Sequence, residues 1–411
     1  MVPSSRDECL VLDARDALAA WRARFDLTDG LVYLDGNSLG ALPRGAGEAL
    51  EKVVGVEWGR GLVRSWNEAG WMEAPTRIGD KIGSLVGAAP GQVLVCDSTS
   101  VNLFKGVNLA LDLRPGRRTI LTEAGNFPTD RYIAAGVTRL RDAHVESVDR
   151  AALAEAFGDE TALLYLTHVD FTTGEVHDMA ALTAAAHEAG ALVLWDLSHS
   201  AGAVEVALDG CGVDLAVGCG YKYLNGGPGA PAYLYVAERL QDHAHTPIPG
   251  WMGHEDPFAF APDYAPARSM RRFLAGTPPI VALATLEVAV DMWCECGAAP
   301  AAAKSRALTS LFIELVDARL GGWDIEVASP RDAEKRGAQV ALRAEHGYAL
   351  MRALIERGVI GDFRPPDMMR FGFPALYTRH VDAWDAVETL RDVLDTEVWR
   401  DPRYAERLPV T

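Results

Sequence analysis

Basic residues are in deficit in this chain: 39 lysines and arginines stand against 57 aspartates and glutamates, a formal charge of −18 at pH 7. Such a surface repels phosphate backbones and anionic lipid and offers no basic stripe to track them. Nucleic acid and membrane surfaces are therefore not expected partners. Long apolar runs are also missing. No stretch reaches the ~18 apolar residues of a spanning helix. The opening Met1-Val2-Pro3-Ser4-Ser5-Arg6-Asp7-Glu8 lacks the apolar core of a signal peptide, which predicts a cytoplasmic protein. Cysteine is sparse: Cys9, Cys96, Cys211, Cys219, Cys294 and Cys296 are scattered, mostly inside apolar strand-like stretches. That usage suits reduced core thiols better than a disulfide framework. Cys294-Glu295-Cys296 is the one ligand-like pair, and without a second pair it gives no zinc site, so no metal is expected.

What is present is material for a large core. At 411 residues and 49% hydrophobic, the chain exceeds the size at which a single core stops growing, so a large domain with a smaller one is expected. Short apolar runs recur every 25 to 30 residues or so with helix-period segments between them, the pattern of βαβ units. The fold class is therefore α/β, with a mostly parallel sheet flanked by helices and a smaller α/β C-terminal domain. The expected strands are Val93 to Cys96, Thr119 to Thr122, Ala162 to Leu166, Ala191 to Trp195 and Leu215 to Gly218, followed by an edge-like Ala232 to Val236. Met179 to Gly190 predicts a helix with a glycine stop, and Ile280 to Trp293 another. Between them, His243 to Pro279 is rich in Pro, Gly and aromatics and has no clean period; a loop of that length tends to be functional.

Parallel sheets place ligands past the carboxyl ends of their strands, and several of these ends carry unusual chemistry. After Cys96 come Asp97-Ser98-Thr99-Ser100, hydroxyls at a predicted helix N-terminus, where free N–H groups suit a phosphate and where an ordinary N-cap would also place them. After Trp195 comes Asp196, a carboxylate carried into the interior by an apolar strand. It needs a cationic partner there, such as a protonated pyridinium, or else it caps the next helix. After Gly218 comes Cys219-Gly220-Tyr221-Lys222-Tyr223-Leu224-Asn225-Gly226-Gly227-Pro228-Gly229. A lysine leaving an apolar strand into a glycine-rich turn can be desolvated, which frees its amine for an imine. Twenty-six residues separate Asp196 from Lys222, room for a crossover to a neighbouring parallel strand, so both side chains can reach one ligand. Gly125-Asn126-Phe127-Pro128-Thr129-Asp130, expected at a strand end between them, offers an aromatic face and a carboxylate, or a plain proline turn. Arg370, alone in the apolar Met369-Arg370-Phe371-Gly372-Phe373, suits an anion such as a substrate α-carboxylate, or a structural ion pair.

Taken together these segments resemble the kynureninase family of aspartate-aminotransferase-like, fold type I pyridoxal-phosphate enzymes. Seven motifs in order along nearly the whole chain carry the resemblance: Tyr33-Leu34-Asp35-Gly36-Asn37-Ser38-Leu39-Gly40, Arg64-Ser65-Trp66-Asn67, Ser100-Val101-Asn102-Leu103, Asn126-Phe127-Pro128-Thr129-Asp130, Trp195-Asp196-Leu197-Ser198-His199, Tyr221-Lys222-Tyr223-Leu224-Asn225 and Gly250-Trp251-Met252-Gly253-His254. The resemblance implies pyridoxal 5′-phosphate as cofactor, held covalently by Lys222, with Asp196 and His199 on its ring, Phe127 stacked on it, and Thr99, Ser100 and Tyr221 at its phosphate. Pro128, Thr129, Asp130 and Thr167 would lie along its polar edge. Lys222, Tyr221 and Asp196 would be catalytic, and Arg370, Trp66, Ser38 and Asn37 would meet the substrate. Trp251 and Thr277 would reach the cofactor of a partner subunit, which implies a homodimer. Thr277 stands where the family's eukaryotic members carry Asn, and Trp66 where the animal enzymes carry His, as in the bacterial type that prefers kynurenine to its 3-hydroxy form. The implied activity is hydrolysis of the Cβ–Cγ bond of kynurenine in tryptophan breakdown and NAD biosynthesis. The implied domains are an N-terminal segment (1–50), a cofactor-binding domain (51–290) and a small domain (291–411). A cysteine desulfurase or selenocysteine lyase of the same fold is the alternative, but it needs a mobile C-terminal cysteine, and none follows Cys296.

Overall fold

The structure is a computed structural model that describes residues 2–408, so Met1 and the last three residues of the expected small domain lie outside the described residues. Its largest sheet contains β1 (Val93–Val95), β2 (Thr119–Glu123), β3 (His144–Val148), β4 (Thr161–Thr167), β5 (Leu192–Asp196), β6 (Leu215–Gly218) and β7 (Tyr233–Val236), in the spatial order β1-β7-β6-β5-β4-β2-β3. Strands β6, β5, β4, β2 and β3 pair in parallel, whereas β7 runs antiparallel to both its neighbours. Alternation along the strands feeds two cores. Val93, Leu164, Leu166, Val193 and Trp195 face one side, and Leu94, Leu163, Tyr165, Leu192 and Leu194 the other. Because both faces are covered, the strands read as unbroken apolar runs instead of alternating with polar residues.

Two expectations about strand position are corrected. Tyr233–Val236 is not an edge: it lies between β1 and β6, with all four residues buried. The chain returns from β6 without a helical crossover, and such a short return can only reach an antiparallel neighbour. Nor does the turn carrying Asn126 lie between Asp196 and Lys222. It follows β2, which sits beyond β4, while β5 and β6 are direct neighbours that pair Asp196 with Val217. A further strand, His144–Val148, lies at the exposed edge, where half-polar residues leave little apolar signal.

A second sheet is antiparallel, formed by β8 (Glu326–Val327), β9 (Gln339–Arg343), β10 (Asp362–Arg364) and β11 (Met368–Gly372), in the order β8-β9-β11-β10. Helices Ala298–Arg319, Gly347–Glu356 and His380–Asp395 share its core through Leu308, Phe312, Met351, Leu354, Val387 and Leu390. The N-terminal segment joins this unit. Val32–Tyr33 pairs in parallel with Val359–Ile360, and Arg6 forms an ion pair with Asp385 at 2.7 Å. The two units interlock through the 169–176 segment past β4. There Val176 N–H donates to the Lys335 carbonyl at 3.0 Å, and Gly337 N–H donates to the Gly174 carbonyl at 2.7 Å.

Candidate active site

Four strand ends of the large sheet converge on one cavity of about 180 Å³. Past β1, Ser98 caps helix Thr99–Leu113 by accepting from Val101 N–H, so the first turn presents its free N–H groups beside the Thr99 and Ser100 hydroxyls. The turn is held from behind. The Asn102 amide donates to the Cys96 carbonyl at 2.8 Å, and fully buried Lys105 donates to Asp97 and to the Phe273 carbonyl, both at 2.5 Å. Past β2, Pro128 opens helix Pro128–Thr138, where its fixed φ and missing N–H cost nothing. That start aims Thr129 and Asp130 at the cavity behind Phe127. Asp130 is completely buried. One of its oxygens lies 3.3 Å from the Thr167 hydroxyl, and the other, Oδ1, has no hydrogen-bond partner among the described residues.

Thr167 ends β4 and Asp196 ends β5, side by side in register. Asp196 accepts the Ser198 N–H at 2.7 Å. Burial pushes its carboxyl above the usual carboxylate range, and burial together with the Asp196 charge pushes Asp130 well above it. Past β6 come Tyr221 and Lys222. The Lys222 Nζ lies 3.0 Å from His199 Nε2 and 5.7 Å from the centre of the Phe127 ring. Burial, and then the Lys222 charge, holds the His199 ring well below its ordinary pKa. Gly40 N–H donates to the Tyr221 carbonyl at 2.8 Å, and a Cβ on Gly40 would lie 2.3 Å from the Lys222 carbonyl, so only glycine allows the N-terminal segment to seat against the lysine loop.

Ten residues singled out in the sequence line this cavity: Thr99, Ser100, Phe127, Thr129, Asp130, Thr167, Asp196, His199, Tyr221 and Lys222. The others stand apart from its walls. Pro128 serves as the helix start. Trp66 packs edge-on to Trp71, while Trp251 is 41% exposed and meets Phe258, and Thr277 is exposed. Asn37 is fully buried against Gly372, and neither polar atom of its side chain has a hydrogen-bond partner among the described residues. Arg370 does lie near an anion, but the anion is internal. Its Nε donates to Asp362 at 2.7 Å, its Nη2 reaches the second oxygen of Asp362, and its Nη1 donates to the Phe171 carbonyl. Ser38 donates to the same Asp362 at 2.8 Å. Sequence reasoning missed Phe171 and Ser198, which line the cavity, and Asp362. Phe171 was findable, since it lies just past β4 where ligand sites gather. It meets Phe127 edge-on at 5.1 Å.

Over 99% of its length the chain is 50% identical to the kynureninase of Burkholderia pseudomallei, covering all of that protein, and 47% identical to the kynureninase of Pseudomonas fluorescens with the same coverage. The chain belongs to the kynureninase family. The model of the kynureninase C-terminal domain matches residues 301–390, and that of the Cys/Met metabolism PLP-dependent enzymes matches residues 76–237. The fold is also that of a cysteine desulfurase from Thermococcus onnurineus, with a TM-score of 0.77 at 20% identity, covering 92% of this chain and 97% of that one. Pyridoxal 5′-phosphate is the cofactor of this kynureninase-family chain, and the cavity fits it. A primary amine, a buried carboxylate, an aromatic ring and a hydroxyl-bearing helix N-terminus are what an aldehyde, a ring nitrogen, a flat ring and a phosphate require. The unpartnered Oδ1 of Asp130 adds an acceptor at the same wall.

Proposed function

We propose that the chain hydrolyses the Cβ–Cγ bond of L-kynurenine, giving anthranilate and L-alanine, with Lys222 as the cofactor lysine. The observation that carries this reading is the Lys222 amine sharing a cavity with buried Asp196 and the Thr99–Ser100 helix start, in a chain 50% identical throughout to a kynureninase. When bound, the cofactor supplies an electron sink for the charge left at the substrate α-carbon.

Each residue has a task around that sink. The Thr99 and Ser100 hydroxyls and the first-turn N–H groups hold the phosphate. Phe127 would stack on the ring, and Thr129, Asp130 and Thr167, which line the same cavity, would meet its polar edge. Asp196 would keep the ring nitrogen protonated, a pairing that would offset the burial that otherwise disfavours its charge. Lys222 Nζ would hold the cofactor, and its free amine would take the substrate α-proton as general base. The Tyr221 hydroxyl, on the residue next to the base, moves protons while water adds at the γ-carbonyl and the β-carbon is protonated. Arg370, already fixed by Asp362, receives the α-carboxylate on its remaining N–H groups with Ser38 and Asn37 beside it.

The homodimer belongs to this proposal, with Trp251 and Thr277 serving the partner's site, in keeping with their exposure here. So does the division at 1–50, 51–290 and 291–411, supported by the seven-stranded sheet falling in its second part and the four-stranded sheet in its third, although the bound at 290 falls inside helix Ile280–Cys296. Trp66 is the residue assigned to the choice between kynurenine and its 3-hydroxy form. The decisive assay follows anthranilate release from kynurenine by the purified, cofactor-loaded protein. Lys222→Ala should lose the absorbance of the lysine-bound cofactor together with turnover; retention of both would overturn the assignment.

A further inference from the structure

We propose that Gln339 is a positioning residue that fixes which nitrogen of His199 carries its proton, leaving His199 Nε2 as a bare acceptor facing the Lys222 amine. Gln339 opens β9 in the second sheet, is 1% exposed, and stands outside the residues lining the cavity. It nevertheless touches the cavity's histidine: its Oε1 lies 3.1 Å from His199 Nδ1.

The orientation of the Gln339 amide is dictated by backbone. Its Nε2 donates to the Phe171 carbonyl at 3.0 Å and lies 3.4 Å from the Asp170 carbonyl. Rotating the amide by half a turn would press Oε1 against two carbonyl oxygens, and neither can donate. Oε1 therefore faces His199, and because a carbonyl oxygen only accepts, the hydrogen in that contact resides on His199 Nδ1. Burial keeps the ring neutral, so it has one hydrogen to place. Nε2 is left with its lone pair, 3.0 Å from Lys222 Nζ. It takes one N–H of the amine and so sets the direction of the remaining bonds at Nζ.

The two carbonyls are themselves rigidly held. Val169 bridges Val176, Asp170 N–H donates to the Glu175 carbonyl at 2.8 Å, and Gly174 N–H donates back to the Asp170 carbonyl at 2.9 Å. The Phe171 carbonyl also accepts from Arg370. One backbone oxygen thus anchors both the guanidinium assigned to the substrate carboxylate and, through Gln339 and His199, the lysine amine. The His199 ring packs edge-on to Tyr223 at 6.4 Å.

The kinetic consequence rests on the reading of Lys222 as the base, but the tautomer does not, and it is measured without turnover. The protein is labelled with 15N-histidine, and His199 is identified by the signal lost in His199→Asn. In the apoprotein and in the cofactor-loaded protein, Nδ1 is expected at the shift of a protonated nitrogen and Nε2 at that of an unprotonated one. Gln339→Met, matched in size but at most a weak acceptor, is expected to move the two shifts toward each other and to lower kcat by up to about tenfold, the worth of one hydrogen bond, with KM little changed. A wild-type ring protonated at Nε2 would overturn the proposal, and that spectrum decides it even if the variant fails to fold. Unchanged ring shifts in a folded Gln339→Met protein would overturn it as well. Absence of kynurenine hydrolysis in a protein with the expected tautomer would count against the function and not against this inference.

Discussion

Asp362 stands directly across the β10–β11 pair from Arg370, and its two carboxylate oxygens take the Nε and Nη2 hydrogens of that guanidinium. Burial alone would push the Asp362 carboxyl up, but the hydrogen bonds and charge of Arg370, followed by the Arg364 charge, outweigh it and hold the group below its usual range. The guanidinium is thereby fixed in one plane before any substrate arrives. Arg370→Ala is expected to raise the KM for kynurenine by about 10- to 100-fold, the worth of charge-assisted hydrogen bonds to a carboxylate. Asp362→Asn is expected to raise KM by a smaller factor while kcat holds, because the arginine remains but loses its anchor. Steady-state kinetics on both variants check this, and an unchanged KM in Arg370→Ala would remove the arginine from substrate binding.

Asp35 sits beside that pair, and burial followed by the Asp362 charge pushes its carboxyl up to about 7. An unfolded aspartate titrates near ~3.9. Between those two values the folded protein binds the proton more tightly, so this group makes stability fall as pH rises from about 4 to about 7, by roughly 2–4 kcal/mol in all. Asp35→Asn removes that penalty. Thermal unfolding should therefore show the variant gaining on the wild type at pH 8 relative to pH 5; a gain of the opposite sign would contradict the placement of Asp35.

Asp196 offers a prediction that separates binding from chemistry. Asp196→Asn preserves shape and the Ser198 contact but not the negative charge. Cofactor should still bind, with an altered absorbance, while kcat falls by at least about a hundredfold, in the range of a lost preorganised electrostatic partner. Full activity in that variant would end the role given to the carboxylate.

The proposed homodimer is tested by complementation. Chains carrying Lys222→Ala and chains carrying Trp251→Ala should each be poorly active, and mixing them under exchange conditions should restore turnover. In a two-fold dimer one site would receive both intact residues. Failure of the mixture to exceed its components, with mixed dimers demonstrated, would place Trp251 in its own chain's site.

Legibility in the sequence followed the kind of signal each residue leaves. Asp196 and Lys222 were found because unbroken apolar runs announce buried parallel strands, and chemistry gathers at their carboxyl ends. The order of those strands was less accessible. Nothing local tells β7 to insert between β1 and β6 instead of lying at the edge, because that choice depends on the return path of the chain. Arg370 was found by its apolar setting, but its partner Asp362 was not, since a cross-strand pair across a turn becomes a pair only once register is known. Gln339 left no signal at all. A glutamine at the start of a short strand is ordinary until the fold sets it against His199.

The 169–176 segment leaves the large sheet and ends up hydrogen-bonded to the second one, and its Phe171 carbonyl receives two donors from that sheet, Gln339 and Arg370. Whatever free energy a ligand contributes by ordering the cavity wall is therefore shared by the attachment of the C-terminal unit. Occupancy of the cavity and cohesion of the two units thereby become a single linked equilibrium, in which whatever tightens one tightens the other.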